Sequence, residues 1–189
     1  MSIKNSRAKT HLKLNVDYQV KGKDGKVKKL FQENALWHFF SKKLNIRLPN
    51  IPILLGSYSD HKVVSNLVTN AGKAAAAGLL TGDVTNYFDY IAVGTGTTAA
   101  AVTDTTLETE TAASGLTRAA STNSRVTTDV TNDTAQFVKA FSVSGTVAVT
   151  ESGVFDASSS GGLLARQVFS AINVVNGDTL TITWKIDVD

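Results

Sequence analysis

The sequence predicts a mainly β protein: an antiparallel β-sandwich with one packed small-residue helix, preceded by an arm made of a β-hairpin and a helix. Three observations lead to this prediction. Stretches of alternating apolar and polar residues recur between Gly, Asn and Asp turn residues, a single alanine block interrupts them, and the charge divides sharply near residue 50. We therefore place a basic hairpin–helix arm and linker at residues 1–62, and the sandwich at residues 63–189.

Composition excludes several classes of protein. The chain has 189 residues and is 42% hydrophobic, which is enough to bury a core. It has no cysteine, so disulfides, a thiol nucleophile and Cys-ligated zinc are excluded. His11, His38 and His61 lie too far apart to form a local metal motif. No apolar run reaches the length of about 18 residues that a membrane span needs, and the N-terminus lacks the apolar segment of a secretory signal. We expect no cofactor, no metal and no membrane insertion.

The predicted arm begins with a strand at residues 12–20. Every second residue of this segment is apolar or aromatic, so one face of the strand is formed by Leu12, Leu14, Val16, Tyr18 and Val20. Gly22 and the Asp24-Gly25 pair supply turn residues, and the segment 27–31 returns to complete a hairpin.

A helix and a linker follow the hairpin in this prediction. The helix is indicated by apolar residues at helical spacing, namely Leu36, Phe39, Phe40 and Leu44. Pro49 and Pro52 are the only prolines of the chain, and they mark residues 45–62 as the linker between the two segments.

The charge is unevenly distributed between the two halves. Residues 1–50 carry twelve basic and three acidic side chains, whereas residues 51–189 carry seven basic and thirteen acidic ones, so their net charges are +9 and −6. The candidate interface residues of the arm are Lys21, Lys23, Lys26, Lys28 and Lys29. Their partner is either an acidic surface (nucleic acid, an anionic membrane or a protein) or simply water. No aromatic residue interleaves with the lysines, so stacking on nucleic acid is not favoured.

The second segment begins with a helix and continues as strands. The sequence NLVTNAGKAAAAGLL predicts a helix of small residues that Thr69 or Asn70 caps. Strands are then predicted at YFDYIAVGTGT, SRVTTDVT, AQFVKAFSVSGTVAVTESGVF, LLARQVFSAINVV and DTLTITWKIDVD. In the last of these, one face carries Leu180, Ile182, Trp184 and Ile186. About five strands at this spacing are typical of an antiparallel sandwich.

No catalytic motif stands out. The segment VGTGTTA lacks both the third glycine of a dinucleotide loop and the lysine of a phosphate-binding loop. Glu108, Glu110 and Glu151 have no spacing that would pair two carboxylates for sugar hydrolysis. A G-x-S-x-G elbow and a D-x-D-x-D-G calcium loop are also missing from the sequence. The sequence therefore predicts that the protein is not an enzyme.

Four motifs in one order resemble the N-terminal attachment domain of phage tail-collar fibre proteins. They are a TNxGxxA helix, a GxG strand-turn, an LxxE…R segment and an ExGxFD…GxLLA hairpin, and they span residues 63–189. The matching positions are Thr69, Asn70, Gly72, Ala75, Gly94, Gly96, Leu107, Glu110, Arg118, Glu151, Gly153, Phe155, Asp156, Gly162 and Leu163.

The resemblance implies a bacteriophage virion structural protein, assembled in the host cytoplasm, that docks virion parts together in the tail, baseplate or neck. Its implied partners are other virion proteins and further copies of itself. Two alternatives stay open: a capsid decoration protein, and a carbohydrate-binding module for host surface glycans. The arm at residues 1–62 lies outside the matched region.

Two structural expectations follow from this interpretation. From the motif order, we expect Glu151 to form a buried ion pair with Arg118 or Arg125, which would hold the sandwich together. Because the arm is interpreted as a separate unit, we expect the sandwich to remain folded when residues 1–32 are removed.

Overall fold

The computed structural model describes residues 12–34, 56–65 and 67–188. Within these ranges the chain is built mainly from antiparallel strands, with one helix, as the sequence predicts. The predicted helix over residues 36–44 and both prolines lie outside the described residues.

Two five-stranded sheets form the sandwich. The first contains β1 (Leu12–Lys21), β4 (Lys62–Ser65), β8 (Thr122–Val126), β9 (Thr134–Ser142) and β12 (Thr179–Val188), in the order β4-β1-β12-β9-β8. The second contains β5 (Leu67–Val68), β6 (Tyr90–Gly94), β7 (Ala119–Ala120), β10 (Val147–Phe155) and β11 (Leu163–Val174), in the order β5-β11-β10-β6-β7. A separate two-stranded sheet pairs β2 (Leu30–Glu33) with β3 (Gly56–Ser59).

The main core lies between the two sheets. On β12 the predicted alternation is observed, because Leu180, Ile182 and Trp184 are fully buried while the residues between them are only partly so. The Trp184 indole N–H donates to the Ser152 hydroxyl of the opposite sheet at 3.1 Å. This hydrogen bond satisfies the one polar group of the largest core side chain.

The structure contradicts the predicted separate arm at residues 1–62, because the first strand of that arm is part of the sandwich. β1 pairs with β12 over ten residues, from Leu12 opposite Val188 to Lys21 opposite Thr179. It is an interior strand of the first sheet, with β4 on its other side. Its predicted apolar face is correct, but that face fills the core of the sandwich. Residues 12–21 therefore belong to the sandwich.

The predicted hairpin and linker also need correction. The turn is present, since Gly22 N–H donates to Lys26 O at 2.8 Å and Gly25 has φ of 81°. The returning chain then leaves β1, because β2 pairs with β3. Residues 56–62, which the sequence places in a linker, form β3 and the start of β4.

The small-residue helix α1 (Asn70–Thr81) is confirmed, and Thr69 is its cap. The Thr69 hydroxyl accepts from the Gly72 N–H at 2.9 Å, and Gly82 ends the helix in the left-handed conformation with φ of 79°. At Gly72 the helix touches β11 so closely that a Cβ there would lie 2.7 Å from the Leu164 Cα. Gly72 is the one residue of α1 that is buried.

Two strand predictions differ in extent from the structure. The stretch 135–155 is interrupted, because β9 ends at Ser142 and β10 begins at Val147. The strand predicted at residues 124–131 ends at Val126, and a turn follows. In that turn the Asp133 carboxylate accepts from the N–H groups of Val130, Thr128 and Asp129, which hold the pKa of Asp133 well below its usual range.

Candidate functional site

A long loop, residues 95–118, covers part of the outer face of the second sheet. Along β10, Ser152 and Val154 point into the main core, whereas Glu151, Gly153 and Phe155 lie on the outer face. A second, smaller apolar cluster forms under the loop from Ala92, Leu107, Phe155 and Leu163. We call this combination of loop and outer face the loop platform.

The Glu151 carboxylate lies at the centre of the loop platform and is fully buried. Its Oε1 accepts from the N–H groups of Gly96 at 3.0 Å and Thr109 at 2.7 Å. Its Oε2 accepts from the Glu108 N–H at 3.0 Å. Backbone N–H groups that donate to a carboxylate form strong hydrogen bonds. Glu151 therefore fastens the start of the loop at Gly96 and its middle at Glu108 and Thr109 to the sheet.

The glycine turn at residues 94–96 is required for this arrangement. A Cβ at Gly94 or at Gly96 would lie 2.5 Å from Oε1 of Glu151 in either case. Neither glycine has a positive φ, so the requirement is close approach rather than backbone freedom. The GxG pattern that resembles a phosphate loop in sequence thus wraps around a carboxylate of its own chain.

Arg166 supplies the balancing charge. Its guanidinium lies 2.9 Å from Oε2 of Glu151 and 2.7 Å from Oδ2 of Asp104, and it donates to the Thr98 carbonyl at 3.2 Å. Its side chain is 3% exposed. Burial raises the pKa of Asp104, but the Ala101 N–H and the Arg166 guanidinium outweigh burial, and the net pKa is lowered. Glu151 and Arg166 thus form a buried ion pair, which the more exposed carboxylates of Asp104 and Glu108 extend towards the surface.

The predicted partners of Glu151 are wrong. Arg118 forms an ion pair with Glu110 instead, at 2.6 Å, and its guanidinium lies 3.6 Å from the centre of the Phe155 ring. It also donates to the Ser160 carbonyl at 2.6 Å. Arg125 is an exposed residue of β8 on the other sheet. The buried ion pair is therefore present, but Arg166 is its basic member.

The five predicted interface lysines do not form a uniform basic patch. Lys28 forms an ion pair with Asp178 at 2.5 Å, Lys29 with Asp60 at 2.8 Å and Lys26 with Asp24 at 3.8 Å. Lys21 and Lys23 are exposed and have no acidic partner within the described residues. The chain's own carboxylates therefore neutralise much of the basic run.

Sequence reasoning missed a second buried ion pair, between Lys62 and Glu33. The Lys62 Nζ lies 2.7 Å from Oε2 of Glu33, and the side chains are 1% and 5% exposed. The same amino group donates to the Phe31 carbonyl at 2.9 Å and to the Ser170 hydroxyl. Burial lowers the pKa of Lys62, since it disfavours the charged form. This pair attaches the β2–β3 sheet to the sandwich.

The pKa of Glu33 gives a testable pH dependence. Burial raises this pKa, but the Lys62 charge and hydrogen bonds outweigh burial, and the net pKa lies below 4.5. A lowered carboxylate pKa contributes stability that is present above pH 4.5 and is lost as the pH falls through the folded-state pKa. We expect Glu33→Gln to cost about 3 kcal/mol at pH 7, because it leaves the Lys62 charge buried and unpaired.

This difference is expected to shrink as the pH falls below 4.5 and to vanish below the lowered folded-state pKa of Glu33, where the wild-type side chain is itself protonated. Urea denaturation at pH 7, 5 and 3 measures it. Asp24→Asn, which alters an exposed ion pair, is the control and should change little at any pH. A Glu33→Gln cost that is equal at all three pH values would contradict the assignment.

The buried charges of the loop platform are all engaged in structural contacts. No group of three or more His, Asp or Glu side chains in the described ranges is arranged to hold a metal ion. Nor does this part of the chain contain a helix with the length and apolar character that crossing a bilayer requires. The arrangement is suited to holding a surface loop in one conformation.

No protein-family model matches the chain, and no curated protein matches it either.

Proposed function

We propose that the protein is a structural component of a bacteriophage virion, an assembly or attachment protein of the tail, baseplate or neck that works through its exterior. One observation carries this proposal. The motif segments that resemble the tail-collar attachment domain are far apart in sequence, yet three of them meet in the loop platform.

The contacts between these segments are direct. The GxG turn and the LETE segment both donate backbone hydrogen bonds to Glu151, which begins the ExGxFD motif. The arginine of the third motif, Arg118, stacks on Phe155 of the fourth. Asp156 of the fourth motif accepts from the Gly162 N–H at 2.6 Å and so closes its hairpin. Motif residues that all serve one structural unit support a common fold more strongly than scattered matches do.

The chemistry of the platform also favours a structural role. Both oxygens of Glu151 accept backbone hydrogen bonds, and Arg166 faces three carboxylates. Groups engaged in this way are not available to transfer protons to a substrate. A loop held rigidly on a sheet instead provides a fixed outer surface, which repeated contacts in a symmetric particle need.

Particle fractionation tests the proposal. Phage particles encoded by the same genome as the chain are purified, mildly dissociated into heads, necks and tails, and probed with an antibody against the chain. We expect the protein in the tail or neck fraction. Recovery with the heads would favour the capsid decoration alternative. Absence from all particles, combined with binding on a glycan array, would contradict the virion assignment and favour the carbohydrate-binding alternative.

A further inference from the structure

An apolar groove opens at one end of the sandwich, between helix α1 and the inner face of the first sheet. It has a volume of about 480 Å³, and its lining includes Ala76, Leu79, Tyr87, Phe88, Phe137 and Ile186. Phe88, Phe137 and Ile186 also belong to the main core. The groove is therefore a place where the core reaches the surface, and no described residue covers it.

The small side chains of α1 explain why the groove is open. The helix lies against β11 at Gly72, where the backbones touch. Towards its C-terminus, Ala76 presents only a methyl group to the groove, and Leu79 lines the rim with 37% of its surface exposed. The helix thus forms one wall of the groove without filling it.

A large apolar side chain projects beside the groove. Leu80 is 91% exposed, and on a helix it points about 100° away from Leu79. Tyr87, on the same rim, is 65% exposed. Exposed apolar side chains that cluster around an apolar groove mark an interaction surface. An apolar projection, Leu80, and an apolar groove therefore lie next to each other on this surface.

Charges on this surface are complementary as well. Arg125 lines the groove and has no acidic partner among the described residues. Asp83 is exposed just beyond Leu80, after the left-handed Gly82, and its carboxylate accepts from the Thr81 hydroxyl at 2.8 Å. A surface that carries both an unpaired cation and an exposed anion can pair with itself.

We propose that this groove is the interface between two copies of the chain, related by a two-fold axis. Leu80 of each copy enters the groove of the other, and Asp83 of each copy forms an ion pair with Arg125 of the other. A two-fold interface uses the same patch twice, so an adjacent knob and hole satisfy both halves at once. The inference gives a structural basis for the self-association that the resemblance implies, and it does not otherwise rest on the proposed virion function.

A second copy fits this groove better than the chain's own N-terminal residues do. Residues 1–11 precede Leu12, which also lines the groove. They carry Lys4, Arg7 and Lys9 and no acidic side chain. They therefore offer no charge that complements Arg125, whereas a second copy offers Asp83.

Sedimentation equilibrium of the full chain tests the proposal. We expect a dimer. Leu80→Asp should raise its dissociation constant at least tenfold, since the change places a charge in the apolar groove of the other copy. Because Leu80 is 91% exposed, the variant should fold normally. Val27→Asp is the matched control. This valine is 38% exposed and pairs with Lys21, at the end of β1 away from the groove, so the change should leave the dimer intact.

Charge exchange tests the geometry. Arg125→Asp and Asp83→Arg should each weaken the dimer, and the double variant should restore it, since the ion pair re-forms with reversed charges. A wild-type chain that is monomeric at about 1 mM, a dimer that Leu80→Asp leaves intact, or a double variant that stays dissociated would each overturn the proposal. A monomer found in particles would overturn this interface alone, whereas a dimer never found in particles would overturn the virion function alone.

Discussion

Removal of residues 1–32 is expected to unfold the protein. The deletion takes away β1, whose side chains Val16, Tyr18 and Val20 are fully buried, together with Leu14 at 7% exposure. Burial of each aliphatic side chain among these, Leu14, Val16 and Val20, contributes about 1.5–3 kcal/mol. The three together therefore contribute about 4.5–9 kcal/mol, which is similar to the entire stability of a typical domain, about 5–15 kcal/mol.

The loss is larger than this burial alone, because β1 lies between β4 and β12. Without it, the ten-residue edge of β12 would be exposed next to the apolar core. Amide NMR spectra and the fluorescence of Trp184 would report the unfolding. The control replaces Lys21, Lys23 and Lys26 with serine, which removes exposed charge but keeps the strand, and it should fold. A truncated chain with well-dispersed amide signals would contradict the placement of β1 in the core.

The local pattern of β1 was predictable from the sequence, but its place in the fold was not. Alternation from Leu12 to Val20 identifies a strand with one apolar face, and the same is true of β12. Alternation carries no information about which strand lies alongside. The partner of β1 lies about 160 residues away, whereas the Gly-rich turn after it suggests a local hairpin. The difference in net charge between the two halves of the chain then suggested two separate units, although β1 of the first half pairs with β12 of the second.

The basic partner of Glu151 was likewise not predictable from the sequence. That Glu151 forms a buried ion pair was predicted from motif order, and its partner was not. Arg166 lies directly opposite Gly153 in the β10–β11 register, which makes it the diagonal neighbour of Glu151 on the same face of the sheet. Gly153 has no side chain, and a Cβ there would lie 2.9 Å from Leu163 Cδ1 and 3.0 Å from Leu107 Cδ2, so this glycine makes room for the apolar cluster under the loop. The available signal was a lone arginine within the otherwise apolar run LLAR.

Glu151→Ala is expected to lower the free energy of unfolding by about 3–5 kcal/mol, because it removes the fully buried carboxylate beside Arg166 and leaves the buried guanidinium with only the partly exposed Asp104 and Glu108. The change also leaves the N–H groups of Gly96, Glu108 and Thr109 without their acceptor. Urea denaturation measures the loss. Hydrogen exchange should show the 95–118 loop losing protection first, since Glu151 accepts three of its backbone N–H groups. Glu108→Ala removes a carboxylate of the same loop that accepts from the Thr98 N–H at 2.7 Å and lies 3.7 Å from Arg166, and it should cost less because that carboxylate is exposed to water.

A double variant separates the ion pair from the backbone contacts. Glu151→Gln with Arg166→Met removes both charges yet leaves an amide oxygen that can accept from the loop. If the charge of Arg166 dominates, this double variant is more stable than Glu151→Gln alone, because an apolar replacement for a buried pair is often nearly neutral. If the three backbone donors dominate, Glu151→Gln alone recovers most of the stability, since only the acceptor matters. An unchanged free energy of unfolding in Glu151→Ala would show that the loop is held by Leu107 and its apolar cluster rather than by the carboxylate.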